Sequence, residues 1–188
     1  MRRLIHLNGP PGIGKSTLAQ MYVDRHPGVL NLDIDRVRGL IGGWLHRFDE
    51  TGEIVRPIAR SMASTHLRGG YDVIMPQYLG KAGEIEQFQR LAVDSGGVFV
   101  EVMLMDTKQR SVERFARRGD DDSDAWHRQV QRIVEDNGGV TLLAAMHDEL
   151  TDLPRTRPDV IVIPSTAGAT QQTYRDLAAV LDSPSQRD

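Results

Sequence analysis

Residues 9–16 read Gly9-Pro10-Pro11-Gly12-Ile13-Gly14-Lys15-Ser16, and this octet decides the fold. It matches G-x-x-x-x-G-K-[ST] at every fixed position. The apolar run Leu4–Leu7 before it reads as a short buried strand. Ser16–Arg25 after it reads as a helix, with Leu18, Met21 and Tyr22 on one face. That strand–loop–helix setting is the one in which the motif works. Its glycines let the backbone adopt dihedrals closed to other residues and approach a ligand closely. Exposed N–H groups and the helix N-terminus then attract an anion. The octet predicts a cradle for phosphate groups, built from Gly9, Pro10, Pro11, Gly12, Ile13, Gly14, Lys15, Ser16 and the following Thr17. Lys15 is expected to reach the outer phosphates and Ser16 to ligate Mg²⁺. Only Lys15, Lys81 and Lys108 are lysines among 23 basic residues. In a chain so biased to Arg, Lys15 sits where a compact ammonium suits phosphate.

Outward from the octet, strand and helix patterns alternate. Pro27-Gly28 is a turn, Val29–Leu32 a second strand ending at Asp33-Ile34-Asp35, and a helix from Asp35 carries Val37, Leu40 and Ile41. Residues 46–56 are polar and read as loop, and 57–68 as a helix stopped by Gly69-Gly70. Tyr71–Met75 and Val98–Met105 read as strands on either side of an amphipathic helix, Glu84–Asp94, with Ile85, Phe88, Leu91 and Ala92 on one face. Thr107 suits the cap of a helix to Arg118, and a polar break, Gly119–Asp124, follows. Helices to Asp136 and Leu150, a fifth strand Asp159–Ile163 and a last helix Thr170–Leu181 complete the chain. The pattern predicts an α/β fold of three layers, a five-stranded parallel sheet with helices on both faces and a helical lid.

The bulk numbers fit one domain. The chain has 188 residues, 39% apolar and 26% charged, with formal net charge −3. A domain over residues 1–182 is expected, with a lid at about 114–128 and a frayed tail at 183–188. The net charge disfavours nucleic acid as a partner. No cysteine is present, which excludes disulfides and thiolate chemistry and allows a reducing cytoplasm. No apolar run approaches the roughly 18 residues needed to span a bilayer. Met1-Arg2-Arg3 opens as a secretory signal does, but the apolar stretch stops at Asn8-Gly9-Pro10.

In open α/β sheets, ligands sit beyond the carboxyl ends of the strands. Asp33 and Asp35 stand at such an end, where a carboxylate can orient or deprotonate an attacking hydroxyl. Asp35 equally suits a helix N-cap. Arg38, three residues on and on the same helix face, suits an anionic group of an acceptor or an outer phosphate. Arg110, Arg114, Arg117 and Arg118 cluster just before the polar break, where arginines on a lid neutralise charge on a transferring phosphoryl group. Trp44, His46, Trp126 and His127 carry no motif; they are candidates to line the acceptor cleft, but core or surface packing is the first expectation for each.

These residues together resemble the small P-loop kinases of the adenylate-kinase-like class. That group includes polynucleotide 5′-kinases, chloramphenicol phosphotransferase, zeta toxins and the tunicamycin-resistance protein. The likeness covers most of residues 1 to about 120 and weakly the rest. Gly9–Ser16, His26-Pro27-Gly28, Asn31 and Asp35-x-x-Arg38 fall at the spacing of a phage-type polynucleotide kinase domain. The resemblance implies ATP as donor with Mg²⁺, Asp35 as general base and Arg38 as a contact to the acceptor. In Arg114-x-x-x-Arg118-Gly119 it implies a nucleotide contact and a transition-state arginine. It also implies that Pro164–Ala167 lies near the nucleotide base.

One departure matters. Polynucleotide kinases carry an Asp-Thr-Asn type sequence after the third strand, whereas Val73-Ile74-Met75 is followed here by Pro76-Gln77-Tyr78. The proline is similar to the tunicamycin-resistance protein, and the acidic residue of that strand end is absent. Mg²⁺ is then left to Ser16, water and Asp33 or Asp35 through water. Gln77 and Tyr78, with Asp33 and Arg38, become the candidate acceptor contacts. The expected function is an ATP-dependent phosphotransferase acting on a hydroxyl of a small molecule, such as an antibiotic, a nucleoside or a nucleotide sugar. A polynucleotide 5′-hydroxyl kinase and a non-catalytic nucleotide-dependent switch are the alternatives.

Overall fold

The first strand, β1 (Arg3–Asn8), alternates Leu4, His6 and Asn8 against Ile5 and Leu7, and all five are fully buried. A strand buried on both faces belongs in the middle of a sheet. In the computed structural model, which describes residues 1–119 and 125–183, it does lie there. The sheet order is β2-β3-β1-β4-β5 and every pairing is parallel. The partners are β2 (Leu30–Asn31), β3 (Val73–Met75), β4 (Val98–Met105) and β5 (Ile161–Pro164). The register sets His6 beside Met75 on one side and Glu101 on the other.

Helices cover both faces. Ile5, Leu7, Ile74, Val102 and Leu104 pack against α1 (Lys15–Val23) and α8 (Thr170–Asp182), through Leu18, Tyr22, Tyr174 and Leu177. Leu4, Val73 and Met75 face the other way, towards α3 (Phe48–Arg68) and α4 (Ala82–Asp94), through Val55, Ala59, Ala63, Leu67 and Phe88. Burial at about 25 cal/mol per Å² of apolar area makes these two clusters the main source of stability. The remaining helices are α2 (Ile34–Arg38), α5 (Lys108–Gly119), α6 (Ala125–Asp136) and α7 (Val140–Asp152), the last followed by a 3₁₀ turn, Leu153–Arg155. The fold is the three-layer α/β fold the alternation predicts. No described helix is long and apolar enough to cross a membrane.

Two local readings change. Residues 48–56, read as loop, form the first turns of α3, and Pro57 lies inside that helix. Its buried stripe is Thr51, Gly52, Val55, Ala59, Ala63 and Leu67. The period is helical, but small and weakly apolar residues carry it, so hydrophobicity alone does not reveal it. The helix after the second strand is only five residues long, and Leu40 is 86% exposed beyond it. Of the expected lid, residues 120–124 lie outside the described residues, as does the tail from 184.

Candidate active site

The phosphate loop runs from β1 into α1. Gly9, Gly12 and Gly14 have φ of +145°, +79° and +106°. A Cβ on Gly9 would stand 2.6 Å from the Leu104 carbonyl oxygen, and one on Gly12 3.2 Å from the Phe115 Cα. Dihedral and space both demand glycine there. Gly14 caps α1 without a side chain, so the first-turn N–H groups are not taken up by a capping side chain. The Lys15 ammonium lies across the loop and donates to the Gly9 and Pro10 carbonyls at 2.7 and 3.0 Å. Ser16 and Thr17 follow in the first turn.

Arg114 reaches this loop from α5. Its guanidinium donates to the Ile13 carbonyl at 3.0 Å and to the Ser165 carbonyl at 2.5 Å, and Ser165 Oγ also donates to Ile13. Partial burial pushes the Arg114 pKa down, opposed by the carboxylate of Asp106. Arg114, Thr17, Ser165, Thr166, Thr170 and Thr173 line a cavity of about 240 Å³ against Gly12–Gly14. The loop after β5 is therefore beside the phosphate loop. The Arg118 side chain lies outside the described residues.

Across from the loop, α2 begins. Asp33, not Asp35, is its N-cap: Asp33 Oδ1 accepts from the N–H groups of Asp35 and Arg36, at 3.1 and 3.4 Å. The other Asp33 oxygen stands 3.9 Å from Arg36. Asp35 is thus free of capping, and its carboxyl is pushed up to about 6. Burial is the largest cause and the charge of Asp33 the second; Arg38, Lys15 and a hydrogen bond from the Gln77 amide act against them. The structure brings Asp35, Lys15, Arg38 and Gln77 together.

Arg38 is buried, with 8% exposure. Its guanidinium carbon lies 3.9 Å over the Phe48 ring and 5.9 Å from that of Trp126. Trp44 packs on Trp126 at 5.2 Å between ring centroids. Arg38 Nε and Nη1 have no hydrogen-bond partner among the described residues. Tyr78 points elsewhere than Gln77: its hydroxyl donates to Glu149 of α7 at 2.7 Å, which with burial raises its pKa. Phe48 beside Arg38 and Asn8 escape the sequence reading; Trp44 and Trp126, named there without a motif, join Phe48 in a wall around Arg38, and Ser165, within the Pro164–Ala167 loop expected near the nucleotide, bonds Ile13 of the phosphate loop. The aromatic wall joins segments distant in the chain and has no spacing to betray it. Asn8 directly precedes the octet, and its alternation with Leu4 and His6 is the one available clue.

A larger apolar groove, about 790 Å³, is lined by Leu30, Ile58, Met62, His66 and Tyr71. It lies at the amino ends of β2 and β3, the opposite end from the phosphate loop. It has no convergent charged groups, so it is not the reacting site.

Fold and site together define a small P-loop protein of the kinase-like, adenylate-kinase-related class. A family model described as AAA domain (AAA_33) matches residues 4–136, more than half of the chain, and the chain belongs to that family. Its fold is similar to the tunicamycin resistance protein of Deinococcus radiodurans, with TM-score 0.62 and 18% identity over 97% of this chain and 96% of that one. It is similar to a gluconokinase from Sinorhizobium meliloti 1021, with TM-score 0.62 and 16% identity over 96% and 93%. It is also similar to a shikimate kinase from Bacteroides thetaiotaomicron, with TM-score 0.58 and 18% identity over 96% and 98%. At such identities the likeness establishes the shared fold. No curated protein sequence matches the chain.

Proposed function

We propose that this protein is an ATP-dependent phosphotransferase that phosphorylates a hydroxyl of a small molecule bearing an anionic group. One observation carries the reading: a carboxyl with a pKa of about 6, Asp35, faces Lys15 of the phosphate loop and Arg38 of the opposite wall. A base poised near the working pH beside a phosphate cradle is what hydroxyl phosphorylation needs. The fold shared with proteins named as a gluconokinase and a shikimate kinase supports it.

Gly9–Ser16, with Thr17, hold the phosphates of ATP, and Arg114 with Ser165 borders its nucleoside. Arg38 binds the anionic group of the acceptor, which gives a partner to a buried guanidinium whose Nε and Nη1 have none among the described residues. Gln77 orients Asp35. Asp33, whose second oxygen is not used in capping, completes the acceptor wall, while Tyr78 is held away from it by Glu149. Asp35 accepts the proton of the acceptor hydroxyl; the oxygen bonds to the γ-phosphorus, and the bond from that phosphorus to the β-phosphate oxygen breaks, leaving ADP. Lys15, Arg114 and Arg118 stabilise the charge spread over the transferring group.

The donor set fits Mg²⁺: the Ser16 hydroxyl is a hard oxygen, and the carboxylates of Asp33 and Asp35 are available through water. No group of three acidic or histidine residues is found among the described residues, and Mg²⁺ held mainly by phosphates and water needs none. When bound, the ion neutralises charge on the β- and γ-phosphates.

The test is transfer from radiolabelled ATP to a panel of sugars, sugar acids, nucleosides, antibiotics and a 5′-hydroxyl oligonucleotide. Labelling of a small acceptor, lost in Asp35→Ala with ATP affinity unchanged, is expected. Salt-sensitive labelling of the oligonucleotide alone points instead to a polynucleotide kinase. Saturable nucleotide binding with transfer to no acceptor overturns the reading in favour of a switch.

A further inference from the structure

The loop Pro76–Gly80 leaves β3 without regular structure and carries Gln77 to Asp35. Backbone polar groups of such a loop need partners outside any ladder. They find them on β1. His6 Nε2 donates to the Gln77 carbonyl at 2.9 Å. Asn8 Nδ2 donates to the Leu79 carbonyl at 2.9 Å, and Asn8 Oδ1 accepts from the Leu79 N–H at 3.1 Å. The same Oδ1 accepts from the N–H of Gly9, the first residue of the phosphate loop, at 2.8 Å. Asn8 is fully buried, so water does not compete for these bonds. Gly9 therefore has its N–H on Asn8 and its carbonyl on Lys15.

We propose that Asn8 is a positioning residue that couples occupancy of the phosphate loop to the order of the Pro76–Gly80 loop, and so to the place of Gln77 against Asp35. The proposal rests on nucleotide binding at Gly9–Ser16. The element with two arrangements is Lys15, whose ammonium bonds either the Gly9 and Pro10 carbonyls or phosphate oxygens. Its transfer to phosphate releases the Gly9 carbonyl. Gly9 lies so close to β4 that a Cβ on it would stand 2.6 Å from the Leu104 carbonyl oxygen, and its N–H is already committed to Asn8. The adjustment passes to the oxygen that Gly9 shares with Leu79. A donor site that is filled thus readies the acceptor site.

Amide hydrogen exchange of the full chain, with and without saturating ADP and Mg²⁺, tests this, with ADP affinity measured separately by calorimetry. ADP is expected to slow exchange of the Leu79 amide by about tenfold, a usual size for coupling between sites. In Asn8→Ala the slowing should fall below about twofold while ADP affinity stays within about threefold. Asn8→Ser, whose hydroxyl is too short to bridge Gly9 and Leu79, should behave alike if the alanine variant does not fold. A purely structural Asn8 changes exchange equally with and without ADP. Saturable ADP binding that leaves Leu79 exchange unchanged in the wild type, or slowing that persists in the variants, overturns the proposal. Absence of saturation in the calorimetry instead defeats the nucleotide-binding reading itself.

Discussion

Asp35 holds its proton in a range where an ordinary aspartate has lost it. Its carboxyl moves from 3.8 to about 6, first because it is buried and then because Asp33 is near. The folded protein therefore binds more protons than the unfolded chain between those values. The stability from this group is complete below pH 3.8 and is lost as pH rises through 6. By that linkage Asp35→Asn should be more stable than wild type by about 3 kcal/mol at pH 8, with the gain vanishing towards pH 4 in urea titrations. The same ionisation should give kcat/KM an acid limb near pH 6, absent from any residual activity of the variant. Arg38 shows the same conflict between folding and use. Its charge is buried against Phe48 and Trp126, with two donors unpartnered among the described residues. Arg38→Met should raise stability by about 1 kcal/mol while raising the KM of an anionic acceptor by about a hundredfold. Both residues were legible as candidates because Asp35 follows closely on the second strand and Arg38 completes the Asp-x-x-Arg pattern. Their pKa and burial were not, since Phe48, Gln77 and Trp126 come from three other segments.

Elements position these residues. The phosphate loop holds its shape because Gly9 has no room for a side chain beside the Leu104 carbonyl on β4. Gly9→Ala should cost about 2–3 kcal/mol in chemical denaturation, from strained dihedrals and the 2.6 Å approach together. Arg114 ties helix α5 to the loop through the carbonyls of Ile13 and Ser165. Arg114→Ala should weaken ATP binding by about tenfold in calorimetry, the worth of one or two hydrogen bonds from a charged donor. Helix α2 could be read as starting near Asp35, but not which aspartate caps it; the carboxylate two residues earlier has the reach to Asp35 and Arg36 N–H. Helix α3 was legible only from residue 57 onward. Its first turns bury Thr51, Gly52 and Val55, too small a set to mark a helix by hydrophobicity, and Pro57 reads as a beginning.

At the scale of the whole molecule, a polar chain crosses one face of the sheet. His6 on β1 donates to the Gln77 carbonyl, and its Nδ1 stands 3.9 Å from Glu101 on β4, which pairs with Arg157. Burial lowers the His6 pKa from 6.5 to about 4. The unfolded chain takes up the proton first, so stability present above 6.5 is lost as pH falls towards 4. Wild type should lose about 3 kcal/mol more than His6→Gln between pH 7 and 4, measured by denaturation at each pH. The sequence by itself determined the phosphate loop, the order of strands and helices, the parallel α/β architecture and the strand-end position of Asp35. Those follow from local periodicity and from a motif whose residues are contiguous. Only the tertiary structure decided that Asp33 is the cap, that Arg114 bridges two loops, that aromatic rings enclose Arg38, and that Asn8 fastens the loop bearing Gln77 to the phosphate loop. Each of those depends on side chains from segments far apart in the chain, brought within hydrogen-bond or packing distance by the parallel sheet.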